Sequence, residues 1–227
     1  MVEVPYRLEE RARRLAALGQ PHRLALVEAL ASTDLAPTEA ARLLDIDSNL
    51  LAHHVATLEA ANIVRRSPSA GDGRRRYLRL VPGAVDGLVR PTMPTASSVL
   101  FVCTGNSARS QFAQALWERT VGGDAQSAGL QPAPRVHPTA VEVAAAHGID
   151  LRDRAPKGYR DVTGHPDLVV SVCDRAKEAS TPFRARTLHW SIPDPVEGGR
   201  RRDFEAAFEE IERRIRQLAT HDTRETR

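Results

Sequence analysis

A short apolar run that ends in a cysteine loop constrains the fold of this chain more than any other feature of its sequence. Val99–Val102 has the composition of a buried strand, and it leads directly into the loop Cys103–Ser110, Cys-Thr-Gly-Asn-Ser-Ala-Arg-Ser. Apolar residues with helical spacing follow the loop, at Phe112, Ala115 and Leu116. This order predicts a strand-to-helix turn in a domain where strands and helices alternate.

The Cys-x5-Arg spacing of the loop suits the binding of a tetrahedral anion. Five residues can curl so that their backbone N–H groups converge on one point at the positive end of a helix. The arginine can then hold two oxygens of the anion through its guanidinium group. The predicted oxyanion-binding residues are therefore Thr104, Gly105, Asn106, Ser107, Ala108 and Arg109. The same N–H groups, Arg109 and the Ser110 hydroxyl would stabilise Cys103 as a thiolate, which predicts a cysteine nucleophile.

A linker divides the chain into two predicted domains. The segment from Arg90 to Ser98 contains two prolines and small polar residues, without apolar periodicity. We therefore predict a first domain over residues 1–90, a linker over 91–97, a second domain over 98–220 and a charged tail over 221–227. The first domain is mainly helical and the second is α/β, and each is large enough to fold independently.

The composition excludes several classes of protein. Among 227 residues, 32 are Lys or Arg and 29 are Asp or Glu, so the net charge of +3 permits nucleic-acid binding without arguing for it. The two cysteines, Cys103 and Cys173, are too few for a disulfide framework or a four-cysteine zinc site. No apolar run approaches the ~18 residues of a membrane span, and the first residues lack a cationic-then-apolar leader. We expect a cytoplasmic protein that does not bind membranes.

The first domain has the pattern of a helix-turn-helix. Apolar residues with helical spacing form three sets, each predicted to lie on one helix. The sets are Leu8, Ala12, Leu15 and Leu18; Leu24, Val27 and Leu30; and Ala40, Ala41, Leu43 and Leu44. The third set is predicted to face the core. After a tight connection, Asp47 or Ser48 is predicted to cap a further helix. In that helix Leu51, Val55 and Leu58 face inward, while Asn49, Ala52, His53 and Ala56 lie on the opposite side. A helix of this kind can enter a DNA major groove.

A basic hairpin follows. Ile63–Ser67 and Arg75–Leu80 are predicted strands, and five arginines lie on this ribbon: Arg65, Arg66, Arg74, Arg75 and Arg76. The predicted DNA-binding residues are Ser48, Asn49, His53, His54, Arg74, Arg75 and Arg76. Two alternatives stay open, a hairpin that is only a solvated edge and a histidine pair without a role. We predict no metal site here, because adjacent helical residues point about 100° apart.

Residues 7–82, with the string from Ser48 to Val55, resemble the ArsR-type winged-helix repressors. The resemblance implies a homodimer formed through this domain and binding to a double-stranded DNA operator, with release usually triggered by metals or metalloids. The thiolate and histidine sites of those sensors have no counterpart, since residues 1–98 contain no cysteine and the C-terminal helix of this half contains no histidine.

A predicted general acid lies far downstream of the loop. Asp194-Pro195 follows the strand-like segment Thr187–Trp190, and a carboxylic acid near the loop could protonate the departing oxygen.

Residues 98–219 resemble the low-molecular-weight protein tyrosine phosphatase superfamily and, within it, the ArsC-type arsenate reductases. The resemblance implies a three-layer fold with a central parallel sheet. It also implies that Cys103 is the nucleophile, Arg109 the oxyanion holder, Ser110 a thiolate stabiliser and Asp194 the general acid.

Cys173 distinguishes a reductase from a phosphatase. It follows the apolar strand Leu168–Val172, and in ArsC-type enzymes a cysteine at this point attacks the arsenylated nucleophile, releases arsenite and leaves a disulfide. Some relatives relay that disulfide to a third cysteine, but Ser180 stands at that position here, and Ala108 replaces another cysteine. The resemblance implies no bound cofactor and an external thiol of the mycothiol, glutathione or thioredoxin type, with a small thiol favoured. The alternative is that Cys173 is a buried apolar residue.

We predict a DNA-binding regulator fused to a thiol-dependent arsenate reductase. One alternative is a regulator fused to a phosphatase or to a non-catalytic oxyanion sensor. Against the phosphatase, Val196 and Glu197 follow Asp194-Pro195 where those enzymes usually carry aromatic residues. A third hypothesis keeps the first domain only as a dimerisation module.

Overall fold

The computed structural model describes residues 6–86, 88–89, 96–179 and 181–222 of the chain. These residues form two compact units, one in the first part of the chain and one from residue 96 onward, and the contacts of residues 70–72 group them with the second unit. Most of the predicted linker, all but two residues of the tail and Ser180 lie outside the described residues, so the domain boundaries stay a prediction. No described helix is both long and apolar enough to span a bilayer.

Four helices form the described part of the first unit: α1 (Tyr6–Leu18), α2 (Pro21–Leu30), α3 (Pro37–Leu44) and α4 (Ser48–Ala60). Side chains cap two of them, Gln20 at α2 and Asp47 at α4. Proline occupies the first position of α2 and α3, where its missing N–H costs nothing. Asp45, with a left-handed φ of 52°, ends α3, and the Asp47 carboxylate then accepts hydrogen bonds from the backbone N–H groups of Asn49 and Leu50. This turn confirms the predicted helix-turn-helix.

A two-stranded wing completes the first unit. Strands β1 (Val64–Pro68) and β2 (Arg76–Leu80) pair antiparallel, and Leu35 bridges to Leu78 of β2. One expectation was wrong: Leu43 is 57 % exposed, because it lies on the outer face of α3 while Ala40 takes the core position. Leu8 and Leu15 of α1 are also about half exposed.

The second unit is an α/β domain around a parallel sheet. Its strands are β3 (Ser98–Cys103), β4 (Asp124–Gly129), β5 (Leu168–Ser171) and β6 (Arg186–His189). Its helices are α5 (Arg109–Thr120), α6 (Pro138–Ala146), α7 (Asp174–Glu178), α8 (Pro195–Gly198) and α9 (Arg201–Asp222), with a 3-10 turn at Tyr159–Asp161. Helix α5 packs on β3, β4 and α9, and buried aromatic rings such as Phe112 and Phe208 meet edge to face there.

Strand order places the predicted site residues at one edge of the sheet. The sheet runs β4-β3-β5-β6, and all of its pairs are parallel. Cys103 is the last residue of β3, Cys173 comes two residues after β5, and Asp194 comes five residues after β6. Because the carboxyl ends of adjacent parallel strands lie at the same edge, the three residues converge on one region.

Candidate active site

The Cys103 sulfur lies at the bottom of a curled loop. Cys103 is 2 % exposed, and its Sγ is 3.0 Å from Ser110 Oγ and accepts a hydrogen bond from the backbone N–H of Asn106 at 3.2 Å. Ala108 precedes α5, so the amino end of that helix points into the loop. A negative charge on the sulfur would be stabilised by these donors and by the helix dipole.

The carbonyl groups of the loop are turned outward. Those of Cys103, Thr104, Gly105 and Ser107 accept hydrogen bonds from the backbone N–H groups of Leu130, Gln131, Ala133 and His137, at 2.8–3.1 Å. The C=O and N–H groups of a planar trans peptide point in opposite directions, so the N–H groups that follow these carbonyls face the inside of the loop. An anion held there would meet several donors at once.

The side chain of Asn106 makes the hydrogen bonds that hold this loop closed. It is fully buried and adopts a left-handed φ of 50°. Its Nδ2 donates to Ser110 Oγ at 2.8 Å and to Ser127 Oγ at 2.9 Å, while its Oδ1 accepts from Gln111 Nε2 and from the Lys157 N–H. Sequence reasoning missed the roles of Ser127 and Gln111, which no local pattern marks.

Gly129 lets the loop lie directly on the end of β4. A Cβ at this position would come 2.7 Å from the Thr104 carbonyl oxygen and 2.9 Å from the Asn106 nitrogen. Both are backbone atoms of the anion loop, and real Cβ contacts do not reach such distances. Strand β4 therefore has a steric reason to end in glycine.

Arg109 and Asp194 meet across the mouth of the loop. Arg109 is 4 % exposed, its Nη1 donates to the Ile192 carbonyl at 3.0 Å, and its Nη2 lies 2.5 Å from Asp194 Oδ2. The backbone N–H of Val196 donates to the other Asp194 oxygen at 3.1 Å. The structure thus brings together the residues predicted to hold the anion and to donate a proton.

Cys173 also reaches the loop. Thr104 Oγ1 is 3.5 Å from Cys173 Sγ, and the same sulfur caps α7 by accepting the Ala176 N–H at 3.3 Å. Burial and the charge of Cys103 raise the pKa of the Cys173 thiol, while Arg109, Thr104 and the Ala176 N–H act in the opposite direction. Neither cysteine is in a disulfide. Both cysteine sulfurs therefore contact residues of the anion loop.

A buried polar network supports the segment after Cys173. His189 Nε2 is 3.1 Å from Asp174 Oδ1, and His189 Nδ1 is 2.9 Å from Ser171 Oγ. Burial alone would raise the pKa of Asp174, but hydrogen bonds from His189 and Ser191 bring it below the ordinary value. Sequence analysis did not predict this network, which connects the segment after β5 with the end of β6.

The first unit places most predicted DNA-binding residues at its surface, with one correction. Ser48, Asn49 and His53 of α4 are exposed, as are Arg74, Arg75 and Arg76 of the wing. His54 was wrong as a DNA contact, because it is only 5 % exposed and its ring stacks on His22, with centroids 5.5 Å apart. Burial, then the charges of His22, Arg23 and His53, lower the pKa of His54.

Among the described residues, no cluster of three His, Cys, Asp or Glu side chains could hold a metal ion.

Both halves of the chain are similar to known protein domains. Residues 18–67 match a helix-turn-helix domain model, and residues 98–227 match the model of the low molecular weight phosphotyrosine protein phosphatases. An arsenate reductase of Brevibacillus brevis is 33 % identical over 132 residues, which cover 56 % of this chain and 97 % of that protein. Arsenate reductase 1 of Bacillus cereus is 35 % identical over 133 residues, with the same coverage of both proteins.

Among solved structures, the arsenate reductase of Archaeoglobus fulgidus is 31 % identical and superposes with a TM-score of 0.47, over 54 % of this chain and 98 % of that one. The family match extends over more than half of the chain, and it includes the cysteine loop, Cys173 and Asp194. The chain belongs to the low molecular weight phosphotyrosine protein phosphatase family and carries a helix-turn-helix domain ahead of that fold.

Proposed function

We propose that the second domain reduces arsenate to arsenite and that the first domain is a DNA-binding regulator. The observation that carries the reductase proposal is the position of Cys173, whose sulfur contacts Thr104 of the Cys103 loop. A phosphate-ester hydrolase requires one thiol, whereas reduction by two electrons can draw on two. The relatives of this domain that are named arsenate reductases support the same assignment.

In the first step, arsenate binds to the inward N–H groups of the loop and to the Arg109 guanidinium. The Cys103 thiolate attacks arsenic and forms an S–As bond, and one As–O bond breaks. The departing group is a hydroxyl of arsenate, which takes a proton from Asp194 and leaves as water. Arsenic stays in the +5 state, and Ser110 and the Asn106 N–H are placed to stabilise the attacking sulfur.

In the second step, the Cys173 thiolate attacks the Cys103 sulfur. An S–S bond forms, and the electron pair of the S–As bond passes to arsenic, which leaves as arsenite in the +3 state. Two external thiol groups, from mycothiol, glutathione or thioredoxin, then reduce the Cys103–Cys173 disulfide by exchange, supply the two electrons consumed and leave as a disulfide of their own. We favour a small thiol, since Ser180 stands where a relay cysteine would be needed.

The first domain, in this proposal, is an ArsR-type regulator that dimerises and binds an operator. Leu8 and Leu15, seven residues apart on one face of α1, are 52 % and 49 % exposed, and pairing of two copies would bury them. Ser48, Asn49 and His53 would face the major groove, and Arg74, Arg75 and Arg76 would contact phosphates. Two free thiols fit a reducing compartment such as the cytoplasm.

The test compares the wild-type chain with Cys103→Ser and Cys173→Ser. Each is incubated with arsenate and glutathione, mycothiol or thioredoxin, and arsenite is measured; hydrolysis of p-nitrophenyl phosphate is measured in parallel. We expect both variants to lose arsenite production and only Cys103→Ser to lose hydrolysis.

A phosphatase is the second candidate, because Cys103, Arg109 and Asp194 are sufficient for phosphate-ester hydrolysis. Failure of the wild-type chain to form arsenite with any of the three thiols, together with rapid ester hydrolysis, would replace the first candidate with the second.

A further inference from the structure

The buried pair of Asp174 and His189 lies next to Cys173 and has no role in the mechanism above. His189 Nε2 is 3.1 Å from Asp174 Oδ1, and the two residues are 1 % and 2 % exposed. The other Asp174 oxygen accepts the backbone N–H of Ala70 at 2.6 Å. Burial raises the pKa of Asp174, but hydrogen bonds from His189, Ala70 and Ser191 bring it below the ordinary value. A carboxylate at this depth needs such partners, since burial penalises its charge.

Asp174 is the first residue of α7, the helix that Cys173 caps. Helix α7 has only five residues, Asp174–Glu178, and a helix of that length is not stable on its own. The Cys173 sulfur is held at its amino end, where it accepts the Ala176 N–H at 3.3 Å. The position of this sulfur therefore depends on the contacts that fix α7 to the rest of the domain.

Packing alone does not fix α7, because the helix borders a cavity of about 280 Å³. Its residues Ala176 and Lys177 line this cavity together with residues of three strands, namely Val102 of β3, Val169 and Ser171 of β5, and Thr187 and Leu188 of β6. Atoms next to a cavity lack packing partners on that side. His189 is the last residue of β6, so its contact with Asp174 joins the sheet to the start of α7.

We propose that His189 is a positioning residue for the second step, which fixes the start of α7 through Asp174 and so keeps the Cys173 sulfur beside the Cys103 loop. The proposal rests on the proposed function, in which Cys173 attacks the Cys103 sulfur. His189 Nε2 donates the hydrogen bond, because an ionised carboxylate can only accept one. Its Nδ1 lies 2.9 Å from Ser171 Oγ, and this contact sets the orientation of the ring. In this role His189 transfers no proton.

The test compares two substitutions of His189 in the full-length chain. Glutamine can place an amide N–H near the position of Nε2 and keep the contact with Asp174, whereas asparagine reaches only the position of Nδ1 and loses it. Each chain receives arsenate without thiol and is then denatured in acid. Its remaining thiols are alkylated in the denatured state, where both cysteines are accessible, and the Cys103–Cys173 disulfide is measured by mass spectrometry. We expect His189→Asn to form the disulfide at least about tenfold more slowly, and His189→Gln to stay close to the wild-type rate.

Hydrogen peroxide replaces arsenate in a parallel measurement that does not depend on arsenate reduction. The Cys103 thiolate displaces hydroxide from peroxide and becomes a sulfenic acid. Cys173 then attacks that sulfur, forms the disulfide and releases water, unless a second peroxide first oxidises the sulfenic acid to a sulfinic acid. A misplaced Cys173 loses this competition, so the ratio of disulfide to sulfinic acid should fall by about tenfold in His189→Asn and remain near the wild-type value in His189→Gln.

Two further measurements separate positioning from a general loss of structure. Hydrolysis of p-nitrophenyl phosphate, which uses Cys103 and not Cys173, should be unchanged in both His189 variants. Asp174→Ala should slow disulfide formation as His189→Asn does, and the double variant should be no slower than either single one, because His189 acts through Asp174.

Wild-type disulfide formation in His189→Asn overturns the proposal, and so do equal losses in the asparagine and glutamine variants or additive losses in the double variant. A parallel loss of hydrolysis in His189→Asn also overturns it, because the whole site would then depend on this residue. A wild-type chain that forms the disulfide with peroxide but forms no arsenite rejects the reductase, while the peroxide ratio of His189→Asn still decides the positioning role. A wild-type chain that forms no disulfide with either oxidant overturns both proposals.

Discussion

Arg109 and Asp194 form an ion pair at 2.5 Å, although 85 residues separate them in the chain. Both side chains have a second anchor, the Ile192 carbonyl for Arg109 and the Val196 N–H for Asp194. An anion that binds Arg109 must therefore compete with the Asp194 carboxylate for the same guanidinium group. The competition links anion binding to the position of the proposed proton donor.

Asp194→Asn should separate binding from turnover. Without the carboxylate charge, Arg109 is more available to an anion, so we expect phosphate to bind several-fold more tightly in calorimetry. Turnover of arsenate or p-nitrophenyl phosphate should fall by about 10²–10⁴-fold, the usual contribution of general acid catalysis. Glu197→Gln removes an exposed carboxylate that pairs with Arg175 instead, and it should change neither quantity. Full turnover in Asp194→Asn would exclude the general acid role.

Gly129→Ala should damage the anion loop while the domain still folds. The new Cβ would meet the Thr104 oxygen and the Asn106 nitrogen, both backbone atoms, so the loop has to shift. We expect turnover at least about tenfold lower and weaker phosphate binding, because loop donors must be well placed to stabilise the reacting anion. The matched control is Gly73→Ala, where a Cβ would have no atom within 4 Å. Wild-type turnover in Gly129→Ala would show that the loop tolerates this contact.

The stability of the first unit should depend on pH through His54. Burial and neighbouring positive charges lower the pKa of His54 in the folded state, so the unfolded chain binds a proton first as the pH falls. The stability is therefore fully present above the ordinary histidine value of about 6.5 and decreases as the pH falls below it. Hydrogen exchange of the α4 amides at pH 5.5 and 7.5 should show faster opening at the lower pH.

His54→Leu should reduce that difference between the two pH values, since it replaces the buried imidazole with an apolar side chain. His53→Leu is the matched control, because His53 is the exposed neighbour on the same helix. The charge of His53 is the smallest of the causes that lower the pKa of His54, so most of the pH dependence should stay in place. Equal pH dependence in all three chains would assign the effect to another group.

Replacing Arg74, Arg75 and Arg76 by alanine should weaken DNA binding with little change in sequence preference. Contacts with phosphates are electrostatic, so we expect a lower affinity for any duplex and a salt slope smaller by up to about three. Fluorescence anisotropy against KCl, with a duplex selected from a random pool, provides the measurement. The triple replacement of Arg200, Arg201 and Arg202 removes the same charge from the other unit and should have a much smaller effect. Equal losses in both triples would indicate an effect of net charge alone.

Local patterns in the sequence determined the elements and part of the site. The apolar run before Cys103 and the helical spacing after Arg109 predicted the strand, loop and helix that form the anion site, because neighbouring residues suffice to define such a turn. In the first unit, Asp47 as a cap and the inward spacing from Leu51 predicted α4 in the same way. Asp194 and Cys173 were assigned through a family resemblance, since no spacing connects them to the loop.

The tertiary structure alone decided which distant residues meet. The strand order β3-β5-β6 brings Cys173 to Thr104 and Asp194 to Arg109, and the buried contacts of Asn106 with Ser127 and Lys157 depend on the same sheet. The burial of His54 could not be predicted from the sequence either, because burial depends on what packs against a residue. Hydrophobic periodicity reports one element at a time, whereas these contacts arise when separate elements pack together.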